Sequence, residues 1–572
     1  MRTYEQDATT PVPPWPFTGR DEELELVRGA WAAGRHGIVV TGPAGHGKTR
    51  LIAEAVRGTD HARVTGTPEA RDLPFAAFAH LLPDGVSPQR AVQILSGVRL
   101  LVVDDAHLLD EASAALVHQL AVHGRTRLVV AAVDGVPAPG AVSRLWTGEL
   151  LPRLALAPLP FEDVAQLLTA TGLETLTVRR LYAVCRGDLR LLRDLVTTLC
   201  VDGRLTPVAG TGERAWRGAL PLTPAVRERL APVLERSAVA ERETLERLAF
   251  AEPLPLPLDD LDLDVLERLE TDGLIHVDDQ GGAVALADPL HGPALRAGAG
   301  RLRARRLTRA PRDVGPDLES EQRALVGAIE RLDVRAVPTP VGEWVVAEGA
   351  RVPAGYAAVR ARFARLRGEL RDAAAWAREG LRSAPGDSGC RTELRLADGE
   401  LNEGDDVYAR YDSVRLGEPG RSVRELPAGS VFAQHAEALT LGDGGGLDRA
   451  AEELRERGFL LFAAEAHAQA VRAHRDPRAA RRSRTRAVAL ARRCQGARTP
   501  VLAGLVLGEL TARQRQIVTL AAAGLSNREI AERLTLSVRT VGNHLYSAYT
   551  RLGTGDRGAL PWLVELPQCA SA

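Results

Sequence analysis

The spacing of apolar and polar positions changes several times along this chain, and each change predicts a new kind of element. Gly37-Ile38-Val39-Val40-Thr41 is a short apolar run. It passes within a few residues into Arg50-Leu51-Ile52-Ala53-Glu54-Ala55-Val56, whose spacing is helical. The runs Val98 to Asp105 and Leu128 to Val133 lack the alternation of a half-exposed strand and predict parallel strands covered on both faces. The expected order is therefore strand–helix–strand–strand. Leu151 to Leu199 reads as mostly helical, as a lid after the sheet would be. From 221 to 300, helical spacing gives way to Gly273 to Leu286, two short strands around an Asp279-Gln280-Gly281-Gly282 turn. Helices followed by one hairpin predict a winged helix.

From about 318 to 498 the pattern is helix after helix. Tyr356 to Pro385 has the form of one tetratricopeptide-like pair with Gly368 at its turn. A weaker copy lies around 459 to 493. The stretch between the two copies, rich in Gly and Asp (Gly442 to Gly446, for example), is expected to break the array, leaving a short, irregular solenoid that serves as a surface for an effector or partner. Beyond it, Thr511 caps one helix and Gly524 ends it. Ser526 caps a second helix, Asn527 to Leu534, and Ser537 caps a third, Val538 to Leu552. On the third, Val541, Leu545, Ala548 and Leu552 form an apolar stripe, while Arg539, Asn543, Tyr546 and Thr550 lie opposite. That is the layout of a helix-turn-helix whose last helix reads base edges.

The fold class expected is thus multidomain. An α/β domain spans 17–150, after a flexible stretch 1–16. A helical lid spans 151–215, a winged helix 216–310, an irregular α-solenoid 318–498, and an all-α helix-turn-helix 505–572. Length supports this division, since 572 residues can build several cores. A hydrophobic share of 45% and a charged share of 26% are those of a water-soluble globular chain. Net charge is −1, so any attraction to a polyanion must be local. It is local at 510–560, where seven arginines face three acids. Ten more arginines lie between Arg472 and Arg498, in a segment that reads first as a solvated helical face and second as a phosphate or partner patch. Five scattered cysteines and no C-x-x-C spacing argue against a disulfide framework or zinc site and fit a reducing, cytoplasmic setting. The polar, proline-rich start up to Pro16 is not a signal peptide, and no apolar run predicts a membrane span.

Candidate chemistry concentrates at one residue. Lys48 is the only lysine in a chain that otherwise uses arginine throughout, and it lies in Gly42-Pro43-Ala44-Gly45-His46-Gly47-Lys48-Thr49. This is G-x-x-x-x-G-K-T between a strand and a helix, the spacing of a phosphate-binding loop, so the α/β domain 17–150 is expected to be a P-loop NTPase domain. Gly42, Gly45 and Gly47 let the backbone close around a phosphate. A compact ammonium fits inside that cradle where a planar guanidinium does not. Thr49 is placed to hold Mg²⁺, and Arg50 opens the following helix beside the phosphates. At the end of the next long strand, Asp104 is placed to hold Mg²⁺ and Asp105 to polarise an attacking water. ATP or ADP with Mg²⁺ is therefore the expected cofactor.

Phe17-Thr18-Gly19-Arg20-Asp21-Glu22-Glu23-Leu24, the phosphate loop and Asp104-Asp105-Ala106-His107 together resemble the signal-transduction ATPases with numerous domains. The resemblance implies that Gly19 and Arg20 pack near base and ribose. The strand after the acid pair ends in Ala131-Ala132-Val133-Asp134 without the arginine sensor common in that family. Gly187-Asp188-Leu189-Arg190 and Asp288-Pro289-Leu290 depart from its G-N-P-L and His-Pro-Leu motifs. Slow hydrolysis is expected from the missing arginine and the altered G-N-P-L motif, and no direct phosphate contact is expected from Asp288. The segment from Leu510 is similar to LuxR-type DNA-binding domains through Gly524-Leu525-Ser526-Asn527-Arg528-Glu529-Ile530-Ala531 and Ser537-Val538-Arg539-Thr540-Val541-Gly542-Asn543-His544-Leu545. Here Gln514 replaces a usual glutamate, and Gly558 and Pro561 weaken the fourth helix. The resemblance implies DNA contacts from Asn527, Arg528, Ser537, Arg539, Thr540, Asn543, His544 and Tyr546.

The expectation is a nucleotide-gated, DNA-binding transcriptional regulator, an activator of a gene cluster, and at most a slow ATPase. Its expected partners are double-stranded promoter DNA, RNA polymerase, further copies of itself when ATP-bound, and an unknown effector or protein at the solenoid, with no membrane. Two alternatives remain at this point. One is an AAA-type replication or transposition ATPase with a helix-turn-helix, and the other is a signalling NTPase.

Overall fold

The computed structural model describes residues 15–31, 36–83, 85–278, 282–308, 314–335, 341–400, 405–417, 425–497, 499–502, 505, 512–522 and 525–552. The chain forms two compact units, Met1–Ala310 and Pro311–Ala572.

The first unit opens with α1 (Asp21–Gly29), then β1 (Gly37–Gly42) and α2 (Lys48–Ala55). It continues with β2 (Ala62–Thr65), α3 (Pro88–Leu95), β3 (Leu100–Asp104), α4 (Glu111–His123), β4 (Arg127–Val133), α5 (Gly140–Thr147) and β5 (Arg153–Ala155). The five strands form one sheet in the order β2-β3-β4-β1-β5, with every pairing parallel. Side chains on successive strand residues point to opposite faces. Ile38, Val40, Val102 and Val129 pack with Leu51 and Ile52 on one face, and Val39, Leu101, Val103 and Val130 pack with Leu116 and Leu120 on the other. Both faces are covered, which is why these strands read as unbroken apolar runs.

The strand–helix–strand–strand order is corrected in two ways. A helix, α4, separates β3 from β4, so each crossover carries its own helix as parallel pairing requires. The sheet also has two edge strands that the apolar pattern does not reveal. Only Val64 is buried in β2, and none of the three residues of β5 is, so neither leaves a hydrophobic run. β5 lies inside the stretch expected to be helical.

After the sheet come α6 (Phe161–Leu168), α7 (Thr175–Cys185) and α8 (Leu189–Val201), then the hairpin β6 (Leu205–Pro207) and β7 (Arg214–Trp216). Then follow α9 (Pro224–Arg236), a helix Val239–Ala251, β8 (Leu256–Pro257), a helix Leu263–Thr271, and the pair β9 (Ile275–Val277) and β10 (Ala283–Leu286). The antiparallel order β8-β10-β9 is a winged-helix arrangement with one strand more than the hairpin alone predicts. Residues 279–281 of the expected turn lie outside the described residues.

The second unit is helical. Ala354–Leu366 and Leu370–Ser383 form the expected tetratricopeptide-like pair, with Gly368 at φ +86° in the turn. Leu460–Ala473 and Pro477–Arg492 form the later pair. Within the stretch expected to break the array, the glycine run holds a tight turn, where Gly442 at φ +63° ends the helix Val431–Leu441. Gly444–Glu456 is a regular helix that begins inside the glycine run. A side chain at Gly444 would meet the His474 ring, and one at Gly446 would meet Ala438 and Asp443, so these glycines mark close packing rather than a loop. Three further helices, Ala512–Ala522, Asn527–Leu534 and Val538–Leu552, form the helix-turn-helix around Ile517, Val518, Ile530, Val541, Leu545 and Ala548. No helix of the described residues is long and apolar enough to cross a membrane.

Candidate functional site

The phosphate loop runs from the end of β1 to the start of α2. In an all-parallel sheet, ligands collect at the carboxyl ends of the strands beside the point where strand order reverses. Here that point is β1, flanked by β4 and β5. Gly42, Gly45 and Gly47 have φ of +150°, +77° and +85°, values that L side chains rarely adopt. A Cβ at Gly45 would also collide with the Asp188 carboxylate. Gly47 immediately precedes α2, so the first N–H groups of that helix are available to an anion.

Lys48 is 7% exposed and folds back on the loop, donating from Nζ to the carbonyl oxygens of Gly42 and Pro43, both at 2.8 Å. Burial pulls its pKa down, and Asp105, Asp134 and Asp104 oppose that shift. Thr49 and Asp104 converge, with Thr49 Oγ1 donating to Asp104 Oδ1 at 3.1 Å. This oxygen pair, a hydroxyl and a carboxylate beside a glycine cradle, fits Mg²⁺ carried by a nucleoside polyphosphate. Lys48 and the loop N–H groups fit its phosphates. Asp105 has φ +46°, a left-handed conformation, while its backbone N–H donates to Asp104 Oδ1 at 3.1 Å. Arg50 is exposed on α2.

Gly19 and Arg20 sit at the start of α1. Gly19 lies against Asp163 of α6, and the buried Arg20 reaches Glu23 at 2.7 Å and the Ala157 carbonyl at 2.5 Å. Arg20 thus ties α1 to the segment leaving β5.

Four neighbouring groups were given no role from sequence. Arg63 on β2 pairs with Asp104 Oδ2 at 2.6 Å. Arg153 on β5 donates from Nε to Thr41 Oγ1 at 2.8 Å and pairs with Asp134 at 2.9 Å. β4 lacks an arginine at its end, but the strands at the sheet's two edges bring arginines to the same rim. His107 accepts from the Val133 N–H at 3.4 Å, and burial lowers its pKa. His46 within the loop is 5% exposed and contacts the Arg186 carbonyl at 3.3 Å. Strand pairing alone brings Arg63 and Arg153 to the site, with no sequence spacing to signal it, whereas His46 and His107 lie within the loop and the acid-pair motif themselves.

The altered motifs of the lid also meet the loop. Leu189 N donates to the Gly45 carbonyl at 3.0 Å, and Asp188 caps α8 through the N–H groups of Arg190 and Leu191. Asp188 pairs with Arg229 of α9 at 2.7 Å, and Arg186 lies 3.9 Å from Asp288. His291 is buried, and burial lowers its pKa.

In the second unit, Ser526 and Glu529 form a capping box, Oγ accepting from Glu529 N at 3.3 Å and Oε2 from Ser526 N at 2.6 Å. Ser537 accepts from Thr540 N at 3.0 Å. Gln514 is buried and donates to Ser547 at 3.1 Å, linking the first helix to the third. Arg528, Arg539, Asn543 and Tyr546 are exposed, and Asn527, Thr540 and His544 are partly so. Arg528 reaches Glu532 at 3.2 Å on an open surface. Thr511, Gly524, Gly558 and Pro561, and the side chains of Thr550 and Leu552, lie outside the described residues.

Residues 508–561 match the family described as bacterial regulatory proteins, luxR family. A putative HTH-type transcriptional regulator of Mycobacterium bovis is 44% identical over 71 residues, 12% of this chain and 8% of that protein. The putative HTH-type transcriptional regulator YhjB of Escherichia coli is 51% identical over 51 residues, 9% of this chain and 26% of YhjB. The chain therefore aligns with only a small part of the curated relatives it matches. Among solved structures, a signal transduction ATPase with numerous domains and a tetratricopeptide repeat sensor, from Pyrococcus horikoshii, aligns over 96% of this chain and 79% of its own, with 14% identity and a TM-score of 0.26. The RuvB Holliday junction branch migration motor of Thermotoga maritima aligns over 46% and 90%, with 16% identity and a TM-score of 0.25.

Proposed function

We propose that this chain is a nucleotide-gated transcriptional regulator that binds promoter DNA through residues 512–552 and ATP or ADP with Mg²⁺ through the phosphate loop. The observation that carries the reading is the luxR-family match on a helix-turn-helix whose third helix exposes Arg539, Asn543 and Tyr546. In this reading Asn543 and Arg539 read base edges, and Arg528, Ser537, Thr540 and Asn527 hold the phosphates. Lys48, Thr49 and Asp104 hold the nucleotide and its metal. Bound Mg²⁺ supplies charge neutralisation, and Asp105 orients water for a slow hydrolysis that resets the switch. ATP-bound units assemble, tethering several helix-turn-helix modules and raising avidity by about 10²–10⁴ without new DNA contacts. Assembly next to a promoter then recruits RNA polymerase, and the solenoid receives the effector or protein that controls it.

The test is a mobility shift at fixed salt on promoter fragments recovered by genome-wide mapping of the bound sites. The full chain with a nonhydrolysable ATP analogue is expected to bind a two-half-site promoter far more tightly than with ADP, and Lys48→Ala to behave like the ADP form. Equal affinity in all three states would overturn the gating.

A further inference from the structure

The helix Pro477–Arg492 carries a face that the functions above leave unused. Ser483, Ala487 and Leu490 are its buried stripe, packed into the helical array. The opposite side is arginine. Arg478, Arg481, Arg482 and Arg492 are exposed along it, with Arg475 and Arg493 exposed just beyond its two ends. Elsewhere in this chain arginines are routinely matched with carboxylates, as in Arg365–Glu393, Arg415–Glu465 and Arg362–Asp406. These six have no ion-pair partner among the described residues. The neighbouring Asp476 spends its carboxylate capping the helix through the N–H groups of Arg478 and Ala479, and no aspartate or glutamate occurs between Pro477 and Gly508. Arg486, on the flank of the helix, does find Glu452 at 3.2 Å, so the unpaired state belongs to the outer face.

A row of unpaired guanidinium groups repels itself, and a net-neutral protein has no general reason to keep one. A polyanion would relieve the repulsion. Positions 478, 481, 482 and 492 lie on one face of a helix about 24 Å long, and the arginine fork matches phosphate oxygens. The same compact unit holds the helix-turn-helix, which starts at Ala512.

We propose that the exposed arginine face of Pro477–Arg492 is a second DNA contact, which grips the phosphate backbone without reading sequence and adds to the affinity of the helix-turn-helix. This rests on the DNA-binding reading above. The face adds charge and no base recognition, so its signature is the salt dependence of binding.

The test measures binding of the full chain to a random-sequence duplex of about 40 base pairs between about 50 and 200 mM salt, by fluorescence anisotropy. The variant Arg478→Gln/Arg481→Gln/Arg482→Gln/Arg492→Gln is expected to lower the slope of log affinity against log salt by about 0.9 for each phosphate that the wild-type face neutralises. At about 0.1 M salt, affinity should fall about 5–10-fold for each such phosphate. The footprint on a mapped promoter should keep its sequence. Lysine at the same four positions keeps the charge and should restore the slope. Circular dichroism and a melting curve show that each variant is folded. An unchanged slope in the glutamine variant overturns the proposal, as does a loss that lysine does not repair. In the first case, loss of binding to an acidic protein partner instead would assign the face to protein. Failure of the helix-turn-helix reading looks different. The wild-type chain would then show no promoter preference, and Asn543→Ala/Tyr546→Ala would change nothing.

Discussion

Leu189 hydrogen-bonds the phosphate loop itself, its backbone N–H donating to the carbonyl of Gly45 at 3.0 Å. The residue before it, Asp188, caps α8 and pairs with Arg229 on α9. Lid, loop and winged helix are therefore linked through two consecutive residues. Arg229→Gln removes the outer link and leaves the cap. Bound fluorescent ADP should leave several-fold faster, with stability changed by no more than about 1 kcal/mol because the ion pair is partly exposed. Stopped-flow release and a melting curve measure both. An unchanged release rate would show that the Asp188–Arg229 pair does not hold the lid closed.

Lys48 makes two hydrogen bonds inside a cradle with little spare room. Lys48→Ala should weaken ATP binding by about 1.5–3 kcal/mol. Lys48→Arg should fail as well, because the forked guanidinium does not fit. Calorimetry of both variants decides the matter, and wild-type affinity in the arginine form would contradict the cradle.

Hydrolysis should run below about 1 per second without a partner, since no arginine is carried on the end of β4 and Arg63 already occupies one oxygen of Asp104. Phosphate release by the purified chain is the measurement. Turnover of tens per second would be that of a motor and not of a switch.

On the third helix of the DNA reader, Asn543→Ala should relax sequence choice at one base pair by about 1–3 kcal/mol. Arg528→Ala should weaken all sequences alike and lower the salt slope by about 1. Binding to a panel of single-base operator variants separates the two. An identical profile for both variants would refute the division between base reading and phosphate contact.

His435 provides a pH test in the second unit. It is fully buried, its Nδ1 accepting from Tyr411 at 2.5 Å and its Nε2 donating to Gln469 at 2.6 Å. Burial lowers its pKa to about 4, helped by Arg415 and opposed by the Gln469 hydrogen bond. The unfolded chain takes up a proton near pH 6.5 and the folded chain only near pH 4. Stability is therefore full above the unfolded value and is lost as pH falls from about 6.5 to about 4, by about 3 kcal/mol in all. Denaturant melts at several pH values should show that slope, and His435→Gln should lack it. A slope that survives the substitution would assign it to another group.

The chain's local chemistry is legible in the order of its residues. A phosphate loop, an acid pair at a strand end, and the caps at Ser526 and Ser537 are contiguous patterns whose function depends on neighbours a few residues away. The buried strands β1, β3 and β4 stand out as apolar runs because both faces of the sheet are covered. Tertiary structure alone decides what reaches these patterns from afar. β2 and β5 are edge strands with too little buried surface to leave an apolar run, yet they deliver Arg63 to Asp104 and Arg153 to Asp134. Parallel pairing sets such meetings, across 41 residues in the first case, and nothing in local spacing encodes them. The glycines at 444 and 446 make the same point. In the sequence they look like a broken array, but in the fold a neighbouring ring and helix leave no room for a Cβ, so glycine continues the helix where a larger residue would push it away.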